Sequence, residues 1–237
     1  MKKIQNLLIA CCLLSAGCSE APEGYEGPSG PDPVKYVSLR LDAGTGAGTR
    51  AELGDDLRVK FQPGDMIDIN GTAYEVFLLG DGTAAVPEVP EAERYEAVFP
   101  SACNFLQQTT EAANFKLPLA QFYAGSGTFG RNAMPMYGEA TGIDEEKGYV
   151  NIRLSNMCGV LKLTLKGSAT INSILVEDRS GAPISGYSTL GTDDEGAKIL
   201  VPGTASSARA YHLVMNCGGA GEGVALSENG TDFHIVM

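Results

Sequence analysis

Residues able to do acid–base or nucleophilic chemistry are few and scattered along this chain. The two histidines, His212 and His234, each sit in an alternating apolar–polar stretch, where an imidazole reads as a structural or solvent-facing side chain. Gly186-Tyr187-Ser188-Thr189-Leu190 approaches the G-x-S-x-G nucleophile elbow. It lacks the second glycine, and no helical pattern follows to give the strand-turn-helix setting that exposes such a serine. Asp193-Asp194-Glu195-Gly196 lacks the spaced oxygens of a calcium loop and reads as a solvated turn, as do Asp55-Asp56 and Glu145-Glu146. Past the N-terminal segment the cysteines are Cys103, Cys158 and Cys217. They have neither CxxC spacing nor a nearby histidine pair, so no zinc site is expected. Their odd number argues against a disulfide framework; two of them could pair, but each reads as a small buried apolar residue. Phosphate-loop, dinucleotide and HExxH fingerprints are missing. Carboxylates paired for glycoside hydrolysis are matched in space, and nothing in the order of residues singles out two of the 29 acidic ones. The expectation is a protein that is not an enzyme, with no metal and no cofactor.

Composition points the same way. The 237 residues suffice for two small domains or one large one. A formal charge of −12, with no Lys/Arg cluster after Lys3, excludes nucleic acid as a partner, because phosphates need a basic patch. Acidity of this kind keeps a secreted protein soluble. The chain holds 30 glycines and no tryptophan, which fits many turns rather than long helices.

The N-terminus reads as an export signal. Lys2-Lys3 supplies the positive end, Leu7 to Leu14 the apolar stretch, and Ser15-Ala16-Gly17 the small residues before Cys18. The apolar run is too short to span a membrane, which takes roughly 20 residues. Small residues ending on a cysteine resemble a bacterial lipoprotein signal with Cys18 as the lipidated residue. Ser15 departs from that pattern, which carries an aliphatic there. Leu8-Ile9-Ala10-Cys11 fits the rule better but would leave too short an apolar stretch. Residues 1–17 are therefore read as the signal. Residues 18–34, rich in Pro, Gly and Glu, are read as a flexible tether.

The elements beyond the tether are strands. In Lys35 to Ala51, Val37, Leu39 and Leu41 share one face while Tyr36, Ser38 and Arg40 share the other, the period of a half-buried strand. A small-residue linker, Ala43 to Thr49, then leads to Arg50 and Ala51, an accessible basic position. Asn70-Gly71 between Met66–Ile69 and Tyr74–Leu78 predicts a hairpin, since both residues tolerate positive φ. Tyr95–Phe99 and Gly148–Leu154 alternate again. Pro118 interrupts Asn114–Tyr123. Residues 101–113 could form one short helix. Gly159–Gly167 is the cleanest strand, with Leu161, Leu163 and Leu165 inward and Lys162, Thr164 and Lys166 toward water. Further strand patterns cover 171–178, 184–190, 197–201 and 208–216. The fold class is all-β, with two sandwiches joined near Ser155: residues 35–154 and residues 155–237. Asp232 to Met237 look like the first half of an apolar strand, which suggests a truncated reading frame and an incomplete second sandwich.

Taken in order, these segments resemble a known family. After the lipobox and the first strand with Thr49-Arg50-Ala51 come Gly64-Asp65-Met66-Ile67, Tyr95-Glu96-Ala97-Val98-Phe99-Pro100 and Met134-Pro135-Met136-Tyr137-Gly138. The second half adds Asn156-Met157-Cys158-Gly159-Val160-Leu161 and Ile184-Ser185-Gly186. The chain resembles the fimbrillin-like lipoproteins, a pilin superfamily of Gram-negative anaerobes. The resemblance implies two tandem transthyretin-like β-sandwiches and export to the outer membrane on a lipid anchor at Cys18. It further implies cleavage after Arg50, leaving Ala51 as the new N-terminus. The strand bearing Val37, Leu39 and Leu41 would then be displaced, and a strand of another fimbrial subunit would fill its place. The implied partners are other fimbrial subunits, the outer membrane, and host or bacterial surface ligands for adhesion. A chain complete at Met237 would resemble a tip or anchor subunit more than a shaft subunit. The competing reading is a surface lipoprotein that binds glycans without assembling; the missing tryptophan counts against it, and nine tyrosines keep it open.

Overall fold

The computed structural model describes residues 34–42, 61–79, 83–103, 114–203, 209–218 and 222–237. The chain divides into Met1–Val34 and Lys35–Met237, and every described strand lies in the second unit. In chain order the first strands are β1 (Tyr36–Asp42), β2 (Met66–Ile69), β3 (Thr72–Glu75), β4 (Phe77–Leu78), β5 (Ala84–Pro90), β6 (Arg94–Phe99) and β7 (Asn114–Leu117). Next come β8 (Ala120–Phe122), β9 (Met136–Thr141), β10 (Val150–Arg153), β11 (Ser155–Asn156), β12 (Val160–Leu165), β13 (Thr170–Ile171) and β14 (Ser173–Glu177). The last are β15 (Ser185–Thr192), β16 (Lys198–Pro202), β17 (Arg209–Ala210), β18 (His212–Asn216), β19 (Val224–Ala225) and β20 (Thr231–Val236). The fold is all-β. Of the helix considered over residues 101–113, the described part is one 3-10 turn, Ser101–Cys103; the rest lies outside the described residues.

Local chemistry explains several of these boundaries. Asn70 and Gly71 take φ of 49° and 85°, the two left-handed positions of a type I′ turn, so β2 and β3 form the predicted hairpin. The Asp68 carboxylate accepts the Gly71 N–H at 2.7 Å and closes that turn. Gln62-Pro63-Gly64-Asp65 is a turn in which the Asp65 N–H donates to the Gln62 carbonyl at 3.0 Å, with Gly64 at φ 78°. Proline stands before that glycine because its ring pre-sets φ for the second turn position. Pro118 separates β7 from β8, since it cannot donate to a ladder.

Two sheets make the first sandwich. One has the order β10-β1-β5-β4, the other β11-β9-β6-β2-β3. Their inner faces meet in one core, with Leu39, Leu41, Val86, Val150 and Ile152 from the first and Ile67, Ile69, Tyr95, Phe99 and Met136 from the second. The Tyr95 hydroxyl is satisfied within this core by the Ala92 N–H at 2.9 Å.

A second core lies between the β12-β20 pair and the sheet β14-β18-β8. Leu213, Met215, Cys217, Phe233 and Ile235 are fully buried there, while Leu161, Leu163 and Leu165 of β12 are only partly covered. The outward residues of β12, Lys162 and Thr164, are exposed as the alternation predicts. Gln121, itself 3% exposed, closes the far edge of β20: its amide accepts the Val236 N–H at 3.0 Å and donates to the Val236 carbonyl at 2.7 Å. A side-chain amide thus stands where a neighbouring strand's peptide would be.

A third layer covers the outer face of the second sheet. There β15 pairs with β16, β17 and β7, and Phe115, Leu190 and Leu200 pack on Val98 and Tyr137. Strands on either side of residue 155 are interwoven. β7 and β8 pair with β15 and β18, β11 pairs with β9, and Val236 packs into the first core. A cut at Ser155 therefore runs through paired strands, because 114–122 ladders with the later part of the chain.

Candidate strand-exchange groove

β1 is the element that the sequence singled out, and its surroundings are built from both ends. It runs between β5, antiparallel, and β10, parallel, so it is an interior strand. Its register sets Leu39 opposite Val86 and Val150, and Leu41 opposite Ala84 and Ile152. Val37 is 9% exposed, and Leu39 and Leu41 are 0% exposed. Tyr36 on the other face is 61% exposed, as the period-2 pattern requires.

Main-chain bonds tie down both ends. The Glu91 N–H donates to the Lys35 carbonyl at 2.8 Å, and the Leu154 N–H donates to the Asp42 carbonyl at 2.7 Å. Between them the pairing with β5 shifts register from Val37↔Val89 to Leu39↔Val86. Two residues of β5, Pro87 and Glu88, therefore face Ser38 alone, with Glu88 at φ 58°. This is a β-bulge, which puts the extra residue in a left-handed conformation and bends its strand. On the exposed face Arg40 lies 5.8 Å from the ring centroid of Tyr149, next to β10, and its Nη1 donates to the Tyr149 hydroxyl at 3.5 Å.

Val37, Leu39 and Leu41 are thus brought together in one buried row. Cys18, Arg50 and Ala51 lie outside the described residues. The other residues considered for chemistry are dispersed. Ser188 is a buried mid-strand residue of β15, opposite Phe115 and Pro202, with no helix after it among the described residues. His212 is exposed on β18 and His234 buried on β20. Asp193 accepts the N–H groups of Glu195 and Ala197 at 3.0 and 2.8 Å in an exposed turn. Cys103, Cys158 and Cys217 are free thiols, and burial pushes those of Cys103 and Cys158 up to about 12. Among the described residues no group of His, Cys, Asp and Glu could hold a metal, and no helix is long and apolar enough to cross a membrane.

Two features of the groove went unread in the sequence. The partners of β1 come from distant segments, and a parallel partner leaves no turn signal between the two strands. The bulge had a visible mark, Pro87-Glu88 inside an apolar run, since a proline within a run points to an edge or a bulge. Comparison with known proteins adds nothing further: no family model, curated protein or solved structure matches this chain.

Proposed function

We propose that this chain is a subunit of cell-surface fimbriae, assembled by strand exchange. It is exported as a lipoprotein anchored at Cys18 in the outer membrane, built as two tandem transthyretin-like sandwiches, and cut after Arg50. β1 then leaves, and a strand from another subunit takes its place between β5 and β10. The observation that supports this reading is the position of β1: an interior strand, paired with β5 along most of its length and with β10 over Leu39–Asp42, at the very start of the compact unit. An N-terminal strand can be withdrawn without unthreading any other element.

Magnitudes favour replacement over an empty groove. Burying the three aliphatic side chains contributes roughly 5–9 kcal/mol in all, an upper estimate since an unfolded chain is already part-collapsed. Whole domains are stable by only about 5–15 kcal/mol. Withdrawing β1 opens a slot about two strand spacings wide, roughly 9–10 Å, with unpaired main chain on both walls. Such a slot accepts one extended segment by β-augmentation. The test is digestion of the purified chain with an arginine-specific protease. Polymer ladders are expected, and Arg50→Ala is expected to abolish them. Monomers from the unmodified chain after complete cleavage at Arg50 would refute the reading.

A further inference from the structure

A cavity of about 380 Å³ opens beside β8, walled by β7 and β8 on one side and by residues 130–133 on the other. That is the size of a small-molecule site. The chain carries 29 acidic against 17 basic residues, yet the described lining includes Lys116 and Arg131 and no carboxylate. The bias runs against the composition of the whole molecule, so it is a local property of this wall.

Arg131 is fixed in advance. Asp65, whose side chain is fully buried, accepts its Nε at 3.2 Å and its Nη2 at 2.9 Å, and Nη2 also reaches the Pro63 carbonyl at 3.4 Å. Its side chain is still 56% exposed, and Nη1 has no acceptor among the described residues. A guanidinium held at its base in this way loses little freedom when it takes a further acceptor. Lys116 is steadied by Tyr187, with its ammonium 5.7 Å from the ring centroid.

The remaining lining supplies a flat apolar surface and an amide. Phe122 is 65% exposed, an unusual setting for a phenyl ring. Asn132 sits at φ 62° in the turn that the Ala133 N–H closes on the Gly130 carbonyl at 3.1 Å. Glycine is required at 130, since a Cβ there would lie 2.7 Å from the Phe122 carbonyl oxygen. This close approach holds the turn against β8 and forms the cavity wall.

We infer that this cavity binds a carboxylate-bearing sugar residue, a uronic or sialic acid. The carboxylate lies against Arg131 and Lys116, the apolar face of the pyranose covers Phe122, and the Asn132 amide meets ring hydroxyls. Salt screens the net charge of −12 beyond about 8 Å, so long-range repulsion of an anion is suppressed and the groups lining the cavity decide. None of these residues is on β1, β5 or β10, so a monomer that never exchanges strands binds equally well. Failure here leaves strand exchange untouched.

The test is calorimetric titration of the full chain with glucuronic acid and N-acetylneuraminic acid, against glucose and inorganic phosphate. At least one acidic sugar is expected to saturate, with glucose and phosphate silent at the same concentrations. Lys116→Gln and Phe122→Ala are each expected to weaken binding by about fivefold or more, or about 1 kcal/mol. Asn132→Gly keeps the left-handed turn while removing the amide, and it is expected to weaken binding if either other variant fails to fold. No heat from either acidic sugar up to roughly 10 mM, a range that captures even feeble sites, would overturn the inference. Equal binding of glucose or phosphate, or unchanged binding in the folded variants, would overturn it too.

Discussion

Asp65 is a fully buried carboxylate that ties a turn to an arginine. Its carboxylate is buried, accepts the Gln62 N–H at 2.8 Å and holds Arg131 through two nitrogens. Arg131→Ala leaves that carboxylate desolvated beside one backbone donor. The expected loss is about 1–3 kcal/mol of unfolding free energy in urea titrations, and Asp65→Asn, which still accepts from Gln62, is expected to lose less. A second network lies on the outer face of the second sheet. Arg94 bridges Glu96 at 2.9 Å and Glu139 at 2.6 Å, and the Tyr137 hydroxyl donates to Glu139 at 3.1 Å. Burial raises the pKa of Glu139, but the hydrogen bonds from Arg94 and Tyr137 outweigh it and hold it below the usual glutamate value. A carboxylate lowered in the folded state contributes stability above its unfolded pKa and loses it as pH falls through the folded one. Stability measured from pH 5 downward is therefore expected to fall less steeply in Glu139→Gln than in the unmodified chain.

At the scale of elements, what could be read in advance depended on whether the signal was local. The Asn70-Gly71 hairpin, the alternation of β1 and β12 and the break at Pro118 each follow from a few neighbouring residues, and the structure has them. The pairing of β1 with β10 joins residues more than a hundred positions apart, and the ladder of β7 and β8 with β15 and β18 likewise spans long separations. Such pairings are fixed by which apolar faces fit together in the finished core, so no local window carries them. The cavity beside β8 was illegible for the same reason: Lys116, Phe122 and Arg131 look like ordinary surface residues until the turn at Gly130 sets them around one cavity. β1 itself gives the sharpest prediction at this scale. Leu39 is completely buried between Val86 and Val150, so Leu39→Ala is expected to cost about 2–5 kcal/mol in chemical denaturation. Ser38→Ala, on the outward face of the same strand, is expected to stay within about 0.5 kcal/mol.

For the whole molecule, the proposed strand exchange requires β1 to be both integral to the first sandwich and removable from it. These are compatible because the strand stands first in the compact unit and is held by main-chain ladders that any extended segment could reproduce. The most direct measurement is hydrogen exchange by mass spectrometry, following the amides of residues 84–90 and 150–153 before and after cleavage at arginine. In the intact chain alternate amides of these segments face β1, Pro87 and Pro90 having none, and protection of those amides is expected. Cleaved monomers that have lost the N-terminal fragment are expected to exchange rapidly at both segments, and polymers are expected to recover full protection. Unchanged protection of both segments in cleaved monomers from which residues 35–42 are gone would contradict strand exchange, because β5 and β10 would then not need a strand between them.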